Sequence, residues 1–84
     1  MYVVYILKCG GGTLYTGITT DIAARIAQHR AGTGAKYTRG RGPFTLAYTE
    51  RHPNRSSATK REQQIKRQNR AHKLQLIRGS SSAG

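Results

Sequence analysis

The chain opens with a continuous apolar run from Tyr2 to Leu7, in which β-branched and aromatic residues follow one another. A run of this kind predicts a strand that is buried on both of its faces. Glycines at positions 10–12 interrupt the run, and β-type residues resume from Thr13 to Ile18. Two such runs separated by a glycine turn predict a β-hairpin.

The length of the hairpin loop decides which side chains share a face of the sheet. If the glycines at 10–12 form the whole loop, Leu7 lies opposite Tyr15, and Tyr5 lies opposite Gly17. Both tyrosines then lie on one face, and Gly17 leaves open space beside the Tyr5 ring. A two-residue loop would place the tyrosines on opposite faces, because a shift of one residue turns every side chain over. We favour the first register.

The next segment combines helix-capping residues with helical spacing. Residues 19–21 (TTD) supply side chains for an N-cap, and Gly32 ends the helix that follows. An apolar stripe at helical spacing consists of Ile22, Ala23, Ile26 and Ala27. Arg25 and His29, one helical turn apart, flank one edge of this stripe. We expect both side chains to be partly buried and still reachable from solvent.

The second half of the chain predicts one more strand and a second helix. Phe44 to Thr49 alternates well enough for a strand, and the Pro-Asn pair at positions 53–54 is typical of a turn. Ser56 or Ser57 is expected to cap a helix that ends near Asn69.

The segment 70–79 predicts a last short helix, with Leu74 and Ile77 facing the core. The final SSSAG predicts a frayed end. A chain of 84 residues has room for one domain, which we place at residues 1–78, with a disordered tail at residues 79–84. The predicted order of elements is β-β-α-β-α-α, an α+β fold.

The second helix carries its single acid in an unexpected position. At about 100° per residue, its core-facing stripe consists of Ala58, Glu62, Ile65 and Asn69. The remaining polar positions, which point elsewhere, are Lys60, Gln63, Gln64 and Arg67. A carboxylate in the inward stripe is costly unless it is paired or bound to a cation. Either Glu62 pairs with Lys66 in an i,i+4 contact worth about 0.3–0.5 kcal/mol, or it is a metal ligand; the spacing favours neither.

The charge balance points to an anionic partner. Fifteen Lys and Arg residues stand against three Asp and Glu, for a net charge of +12, which attracts polyanions and resists compaction. Nucleic acid is the leading candidate. A membrane partner is not expected, because the basic helices carry Gln and Ala where membrane-surface helices carry Trp, Phe and Leu.

Other function classes are excluded by what the chain contains. The single cysteine, Cys9, excludes an intramolecular disulfide, and the absence of a CxxC or Cys/His cluster argues against a zinc site. The apolar run of the N-terminus is too short for a signal peptide or a membrane span. A reducing cytoplasm is the expected compartment, compatible with association with a bacterial nucleoid.

A glycine-rich stretch at positions 32–43, GTGAKYTRGRGP, interleaves basic residues with a tyrosine. This composition predicts a loop that contacts nucleic acid. The expected contacts are Lys36, Tyr37, Arg39 and Arg41, together with Lys66 on the second helix.

An ordered set of residues carries a resemblance to a known family. The set consists of Val3-Val4-Tyr5, Tyr15-Thr16-Gly17, Arg25, His29 and the helical Glu62. It resembles the GIY-YIG nuclease superfamily, in particular its small stand-alone bacterial members, which are similar to the catalytic domain of structure-specific flap endonucleases. The likeness covers residues 1–78. Single pieces occur by chance, whereas the whole order, with the GAKYTRGRGP loop and the REQQIKR helix, is specific.

The resemblance implies a three-stranded antiparallel sheet flanked by helices, and a catalytic role for five residues. Tyr5 and Tyr15 fill the two motif tyrosine positions, and Arg25 matches the arginine that contacts the scissile phosphate. His29 matches a position held by His or Tyr. Glu62 matches the sole protein ligand of one catalytic ion, Mg²⁺ or Mn²⁺.

This chain departs from the family motifs at two places. Val3-Val4 replaces Gly-Ile, which is a mild change because the chemistry needs the tyrosine. Ile18 stands where some members have a lysine, so that any role of the lysine is absent or falls to another residue such as Lys36.

Elementary chemistry supports these roles. Phosphodiester hydrolysis needs an aligned water and relief of charge on the phosphate, and the guanidinium of Arg25 can neutralise phosphate through a bidentate fork. A phenol, with a pKa near 10, is a poor base unless cations favour the phenolate. Tyr15 is then a candidate to accept the water proton, while Tyr5 and His29 orient the reactants or His29 shares the role of base.

Each residue also has a plainer interpretation when it is considered alone. The tyrosines are compatible with ordinary sheet aromatics, Arg25 with an i,i+4 partner of Asp21, and His29 with a surface histidine. The joint order favours a metal-dependent endonuclease that hydrolyses branched, flapped or distorted DNA in repair or recombination, with a protein partner adding specificity. The alternatives are a non-catalytic module that binds DNA or RNA on the same fold, and a small cationic ribosome-associated or structural protein.

Overall fold

The computed structural model describes residues 1–33, 40 and 42–83. The elements within this part are β1 (Tyr2–Lys8), a 3₁₀ turn (Gly10–Gly12), β2 (Leu14–Thr19), α1 (Ile22–Ala31), β3 (Thr45–His52), α2 (Arg55–Arg67) and α3 (Arg70–Ala83). The predicted order β-β-α-β-α-α and the α+β class are confirmed. No helix of the described residues is long and apolar enough to cross a membrane.

The three strands form one antiparallel sheet in the order β2-β1-β3. In the hairpin, Tyr5 pairs with Gly17 and Leu7 with Tyr15, which confirms the register predicted for the glycine loop. The loop closes when the backbone N–H of Cys9 donates to the carbonyl of Thr13 at 2.8 Å. Two of the loop glycines have φ angles of +82° and +87°, a region that L side chains rarely adopt.

The central strand β1 is buried on both faces, as its apolar run predicted. Val4 and Ile6 contact Ala58 and Ile65 of α2 on one face. On the other face, Tyr5 and Leu7 lie in a separate cluster with Cys9 and Phe44, against which the isoleucines of α1 pack. The sheet therefore separates a mainly apolar core under α2 from a more polar layer under α1.

Helix α1 has the predicted ends. The Asp21 side chain accepts a hydrogen bond from the Ala24 amide at 3.1 Å, and Gly32 ends the helix with a φ of +81°. The predicted stripe was wrong at Ala23 and Ala27, which are exposed. These small side chains have little apolar surface to bury, and the fully buried ring of His29 occupies the inner face of the last turn instead.

Helix α2 and its approach differ from the prediction in detail. Strand β3 continues to His52 because it pairs with β1 up to Tyr2. The predicted serine cap was wrong: Asn54 caps α2, with its Oδ1 accepting from the Ser57 amide at 2.9 Å. Asparagine and serine are similarly good caps, so the choice follows from where the strand ends and not from propensity.

Helix α3 begins at Arg70, directly after Asn69, the last residue of the stripe predicted for α2. Asn69, which the pattern placed in that stripe, is exposed and accepts a hydrogen bond from the His72 amide at 3.0 Å. Leu76 and Ile77 pack against the apolar core, whereas the pattern predicted Leu74 and Ile77. The backbone of α3 continues to Ala83, and the division into a domain of residues 1–78 and a tail stays a prediction.

A half-buried carboxylate joins β3 to α2. Glu50 accepts hydrogen bonds from the Tyr48 hydroxyl at 2.6 Å and from Nε of Arg61 at 3.0 Å. Its Oε1 also lies 2.6 Å from Nε2 of His52, and Nδ1 of that imidazole lies 2.5 Å from the Ser57 hydroxyl. Burial by itself raises the pKa of the Glu50 carboxyl, but these hydrogen bonds and the Arg61 charge together hold it below its usual value.

We expect Glu50 to make the protein sensitive to acid. A carboxyl whose pKa is lowered on folding stabilises the fold above its unfolded pKa of about 4.5, and this stabilisation disappears as the pH falls through the folded pKa. Urea unfolding at pH values from 7 to 3 should therefore show a steeper loss of stability for wild type than for Glu50→Gln. Glu62→Gln controls for the loss of one negative charge. Equal slopes for wild type and Glu50→Gln would contradict the prediction.

Candidate active site

The two motif tyrosines lie side by side on the face of the sheet that α1 covers. Their ring centroids are 6.3 Å apart at an interplanar angle of 50°. Gly17 permits this arrangement, because a Cβ at that position would lie 2.7 Å from the Tyr5 hydroxyl oxygen and 3.1 Å from the Tyr15 ring. Tyr5 is fully buried, whereas Tyr15 is half-buried. Of the two phenols, Tyr15 is the one that solvent can reach.

His29 completes the aromatic layer from the last turn of α1. Its Nε2 lies 3.0 Å from the Tyr5 hydroxyl oxygen, and its ring centroid lies 5.5 Å from that of Tyr15 and 6.0 Å from that of Phe44. With only 1% of its surface exposed, it is buried more deeply than expected, and the interpretation as a surface histidine was wrong. A polar ring is accommodated here because the phenol provides a hydrogen-bond partner.

Arg25 lies one turn earlier on the same side of α1. Its Nε donates to the Tyr5 hydroxyl oxygen at 3.4 Å, and its Nη1 donates to Oε1 of Gln28 at 2.9 Å. Among the described residues Arg25 has no ion pair with Asp21, whose carboxylate caps the helix instead. The half-buried guanidinium is held against the tyrosine layer by these two hydrogen bonds.

The hydrogen bonds of Tyr5 define where its proton lies. Because the phenol oxygen accepts from Arg25, its own hydrogen is free to be donated to Nε2 of His29. Burial raises the pKa of Tyr5, which the adjacent Arg25 only partly offsets. Burial, followed by the Arg25 charge, lowers the pKa of His29. The pair is thus a neutral phenol and a neutral imidazole at pH 7, and the contact with the phenol raises the pKa of the arginine.

Glu62 lies on α2, beside the fully buried Ala58 and Ile65 of its inward stripe. Its side chain is 18% exposed, and its Oε1 lies 3.7 Å from Nζ of Lys66, which is 50% exposed. The i,i+4 pair predicted as one alternative is therefore present. Because the Lys66 partner is half exposed, the pair contributes only about 0–1 kcal/mol, so it offers little resistance to a cation that binds the carboxylate.

The charge of Glu62 acts on the tyrosine layer. Its carboxylate is among the groups that raise the pKa of Tyr5, although it is the smallest contribution, after burial, Arg25 and Tyr15. The structure brings Tyr5, Tyr15, Arg25 and His29 into contact, whereas Glu62 lies on α2, which packs on the other face of the sheet.

The donor set is compatible with a single hard cation. The other two acids are engaged elsewhere, Asp21 as a helix cap and Glu50 in the contact between β3 and α2. Within residues 1–33, 40 and 42–83 no group of three or more His, Cys, Asp and Glu is close enough to hold a metal ion. Mg²⁺ prefers oxygen and keeps several waters, so one carboxylate together with substrate phosphate is sufficient.

Some contacts of the site were missed, and some predicted ones lie outside the described part of the chain. Gln28 accepts a hydrogen bond from Arg25, and the Phe44 ring contacts the His29 ring. The three-residue spacing of Arg25 and Gln28 along a helix is the one sequence signal that pointed to either contact. Lys66 is exposed and pairs with Glu62. The predicted nucleic-acid contacts outside the described residues are Lys36, Tyr37, Arg39 and Arg41.

We expect Gly17→Ala to disrupt the tyrosine layer. The new methyl group would overlap the Tyr5 hydroxyl, and relief of such overpacking costs about 1–3 kcal/mol. Thermal unfolding should show this loss, and the NMR signals of the Tyr5 and His29 rings should shift. Gly79→Ala makes the same substitution in α3, where the added Cβ would meet no atom within 4 Å, and it should keep or raise stability. An unchanged melting temperature in Gly17→Ala would contradict the close approach.

The His29 imidazole should titrate below its ordinary pKa of about 6.5. Since the unfolded chain then binds a proton that the folded protein does not, stability should fall as the pH drops below about 6.5. Arg25→Gln should raise the His29 pKa only part of the way, because burial is the larger cause. NMR titration of the ring protons measures both effects, with Arg30→Gln, an exposed neighbour, as the charge-matched control. A His29 pKa at or above 6.5 would refute the assignment.

Known proteins resemble this chain over most of its length. A family model described as the GIY-YIG catalytic domain matches residues 1–75. A UPF0213 protein of Halobacterium salinarum is 53% identical over 77 residues, which are 92% of this chain and 100% of that protein. A UPF0213 protein of Streptococcus sanguinis is 51% identical over 74 residues, 88% of this chain and 85% of that protein.

Two solved structures share the fold. The solution NMR structure of a UPF0213 protein from Bacillus halodurans is 49% identical, with a TM-score of 0.59 over 92% of this chain and 83% of that chain. That of a protein from E. faecalis is 38% identical, with a TM-score of 0.65 over 95% of this chain and 85% of that chain. Membership in a nuclease family supports nuclease activity and the binding of nucleic acid. The family model and these relatives together show that the chain belongs to the GIY-YIG catalytic domain family.

Proposed function

We propose that the protein is a metal-dependent endonuclease that hydrolyses phosphodiester bonds of branched or otherwise distorted DNA, with Mg²⁺ or Mn²⁺ as its ion. The observation that carries the proposal is the contact of Arg25 and His29 with the same phenol, Tyr5, beside a second, solvent-reachable phenol, Tyr15. A structural sheet does not require a buried histidine and an arginine on one tyrosine. A phosphate-binding pocket benefits from both.

Arg25 is the phosphate-binding group in this proposal. Its pKa is raised by the hydrogen bond to Tyr5, so it stays charged throughout the pH range in which DNA is bound. The contacts with Tyr5 and Gln28 restrict its rotamers, which reduces the entropy lost when the guanidinium binds a phosphate. Fixed N–H donors aimed at phosphate oxygens also stabilise the additional charge of the transition state.

Tyr15 is the group that contacts the attacking water. It is half-buried while Tyr5 is fully buried, and a buried phenol with a raised pKa is a poor proton acceptor. Tyr5 instead holds Arg25 and, through its hydrogen bond to Nε2, orients the His29 ring against Tyr15. His29 is neutral, and its basic nitrogen, Nε2, faces the Tyr5 hydroxyl, so His29 positions the Tyr15 ring and does not take its proton.

Glu62 is the residue that would hold the ion. Nucleases of this family generally depend on a metal ion, and a bound Mg²⁺ or Mn²⁺ would neutralise charge on the phosphate and favour ionisation of a nearby water. The Glu62 side chain is 18% exposed, and the buried Ala58 and Ile65 of the same helix stripe hold it at the edge of the apolar core. DNA contacts from residues 36–41 and Lys66, and a protein partner that adds specificity, belong to the same proposal.

The decisive experiment compares wild type with Glu62→Ala and Tyr15→Phe on branched and linear DNA, with Mg²⁺, with Mn²⁺ and with EDTA. We expect wild type to cut branched DNA only when a metal is present. Glu62→Ala should lose at least about a hundredfold in cleavage rate, the scale expected when a charge-stabilising group is removed. It should still bind DNA, because it removes a negative charge. Tyr15→Phe should lose cleavage to a similar extent and keep the fold.

Lys66→Ala is the matched control, since it removes the partner of Glu62 and leaves the carboxylate in place. It should cleave, with weaker DNA binding. If wild type cuts no substrate with either metal while DNA binding is unchanged in Glu62→Ala, the nuclease proposal is wrong. The protein is then a nucleic-acid-binding module on a nuclease fold.

A further inference from the structure

A second polar surface lies on the side of α2 that faces away from the sheet. Its side chains follow one another at helical spacing, and we define the outer face of α2 as Ser56, Lys60, Gln63, Gln64 and Arg67. All five are exposed. They line an open groove of about 960 Å³ that runs between the two capping residues of α2, Asn54 and Gln68. The groove contains none of the residues of the catalytic cluster, which consists of Tyr5, Tyr15, Arg25 and His29.

The chemistry of the groove suits a phosphate backbone. Lys60 and Arg67 make no ion pair with any residue in the described part of the chain, and no acid lines the groove. Glu50, which bonds the groove residue Arg61, is occupied by hydrogen bonds from Tyr48 and Arg61. The remaining positions offer hydroxyls and amides, the groups that contact phosphate and sugar in DNA complexes. The absence of any large apolar side chain argues against a membrane surface.

The outer face of α2 and the catalytic cluster lie on opposite sides of the sheet. Tyr5 belongs to the face that α1 covers, whereas Ala58 and Ile65 fix α2 on the other face. The molecule measures 28 × 26 × 25 Å along its principal axes. A ligand that reaches both surfaces must therefore pass around a body more than 20 Å thick, or approach it from two directions.

A linear duplex can contact both surfaces only if it bends, which costs free energy. Bending 20–30 base pairs by up to about 90° costs on the order of 1–6 kcal/mol. Elastic energy grows with the square of the angle, so that a half-turn around this body would cost roughly four times as much. A branched DNA reaches both surfaces without bending, because its arms diverge at the junction.

We propose that the outer face of α2 binds the phosphate backbone of a second arm of a branched DNA, while the scissile strand occupies the site of Tyr5, Tyr15, Arg25 and His29. This inference rests on the proposed nuclease function and specifies its substrate. The protein then lies between two arms, with Glu62 and the outer face on different sides of the same helix. Recognition is by shape and charge, since phosphate contacts carry no base sequence.

The test is a binding comparison in EDTA, by fluorescence anisotropy, with a three-way junction and a linear duplex of equal numbers of base pairs. Lys60→Gln/Arg67→Gln removes two charges from the outer face. It should weaken junction binding roughly tenfold and reduce the slope of log K against log salt by about two. Binding of the linear duplex should change by less than about twofold. Circular dichroism melting checks that the fold is kept.

Lys8→Gln/Arg78→Gln is the matched control, because it also replaces one exposed lysine and one exposed arginine. It should affect both DNAs alike. The proposal is overturned if the outer-face variant weakens both DNAs equally, or leaves junction binding unchanged. Because no metal is present, the result does not depend on cleavage. If the wild type prefers the junction through the outer face but never cuts it, the nuclease proposal is refuted and the proposed binding surface stands.

With Mg²⁺ added, the outer-face variant should raise KM for the junction and leave kcat unchanged. An outer face that served only stability would change neither value as long as the protein is folded. A fall in kcat with an unchanged KM would also contradict the assignment, because the second arm contributes binding and not chemistry.

Discussion

The burial of the Tyr5 phenol in the central strand is the constraint on which the site depends. A buried hydroxyl needs partners, and here it has two, Nε of Arg25 and Nε2 of His29, both from α1. These contacts fix α1 against the sheet by polar groups as well as by its isoleucines. They also set the charge states of the cluster, since burial keeps the phenol and the imidazole neutral while the guanidinium stays charged.

The scarcity of acids gives each carboxylate a separate task. In a chain with a net charge of +12, Asp21 begins α1 and Glu50 joins β3 to α2. Both are engaged, which leaves Glu62 for the ion of the proposed function; within the described part of the chain its ion-pair partner is the exposed Lys66. The unpaired positive charge is left on the surface, where it attracts a polyanion. The same imbalance that weakens folding through self-repulsion therefore favours nucleic-acid binding.

Local pattern predicted much of the fold, and its errors have a common cause. The run at β1, the hairpin and both ends of α1 followed from β-branched residues, glycines and a capping aspartate, whose preferences act within a few residues. The cap of α2, the end of β3 and the choice of Leu76 over Leu74 depended on where chains pair and pack. When strand pairing or helix packing shifts by a residue or two, a different but similar side chain caps the helix or packs against the core.

The sequence by itself determined the order of elements, the register that places both tyrosines on one face, the family motif and the excess of positive charge. These are properties of neighbouring residues, or of sums over the chain. Only the tertiary structure decided that His29 is buried against Tyr5, that Arg25 bonds the phenol and not Asp21, and that the outer face of α2 lies across the sheet from the tyrosines. Such facts depend on how helices settle on a sheet, which is governed by long-range packing and by the partners available to buried polar groups.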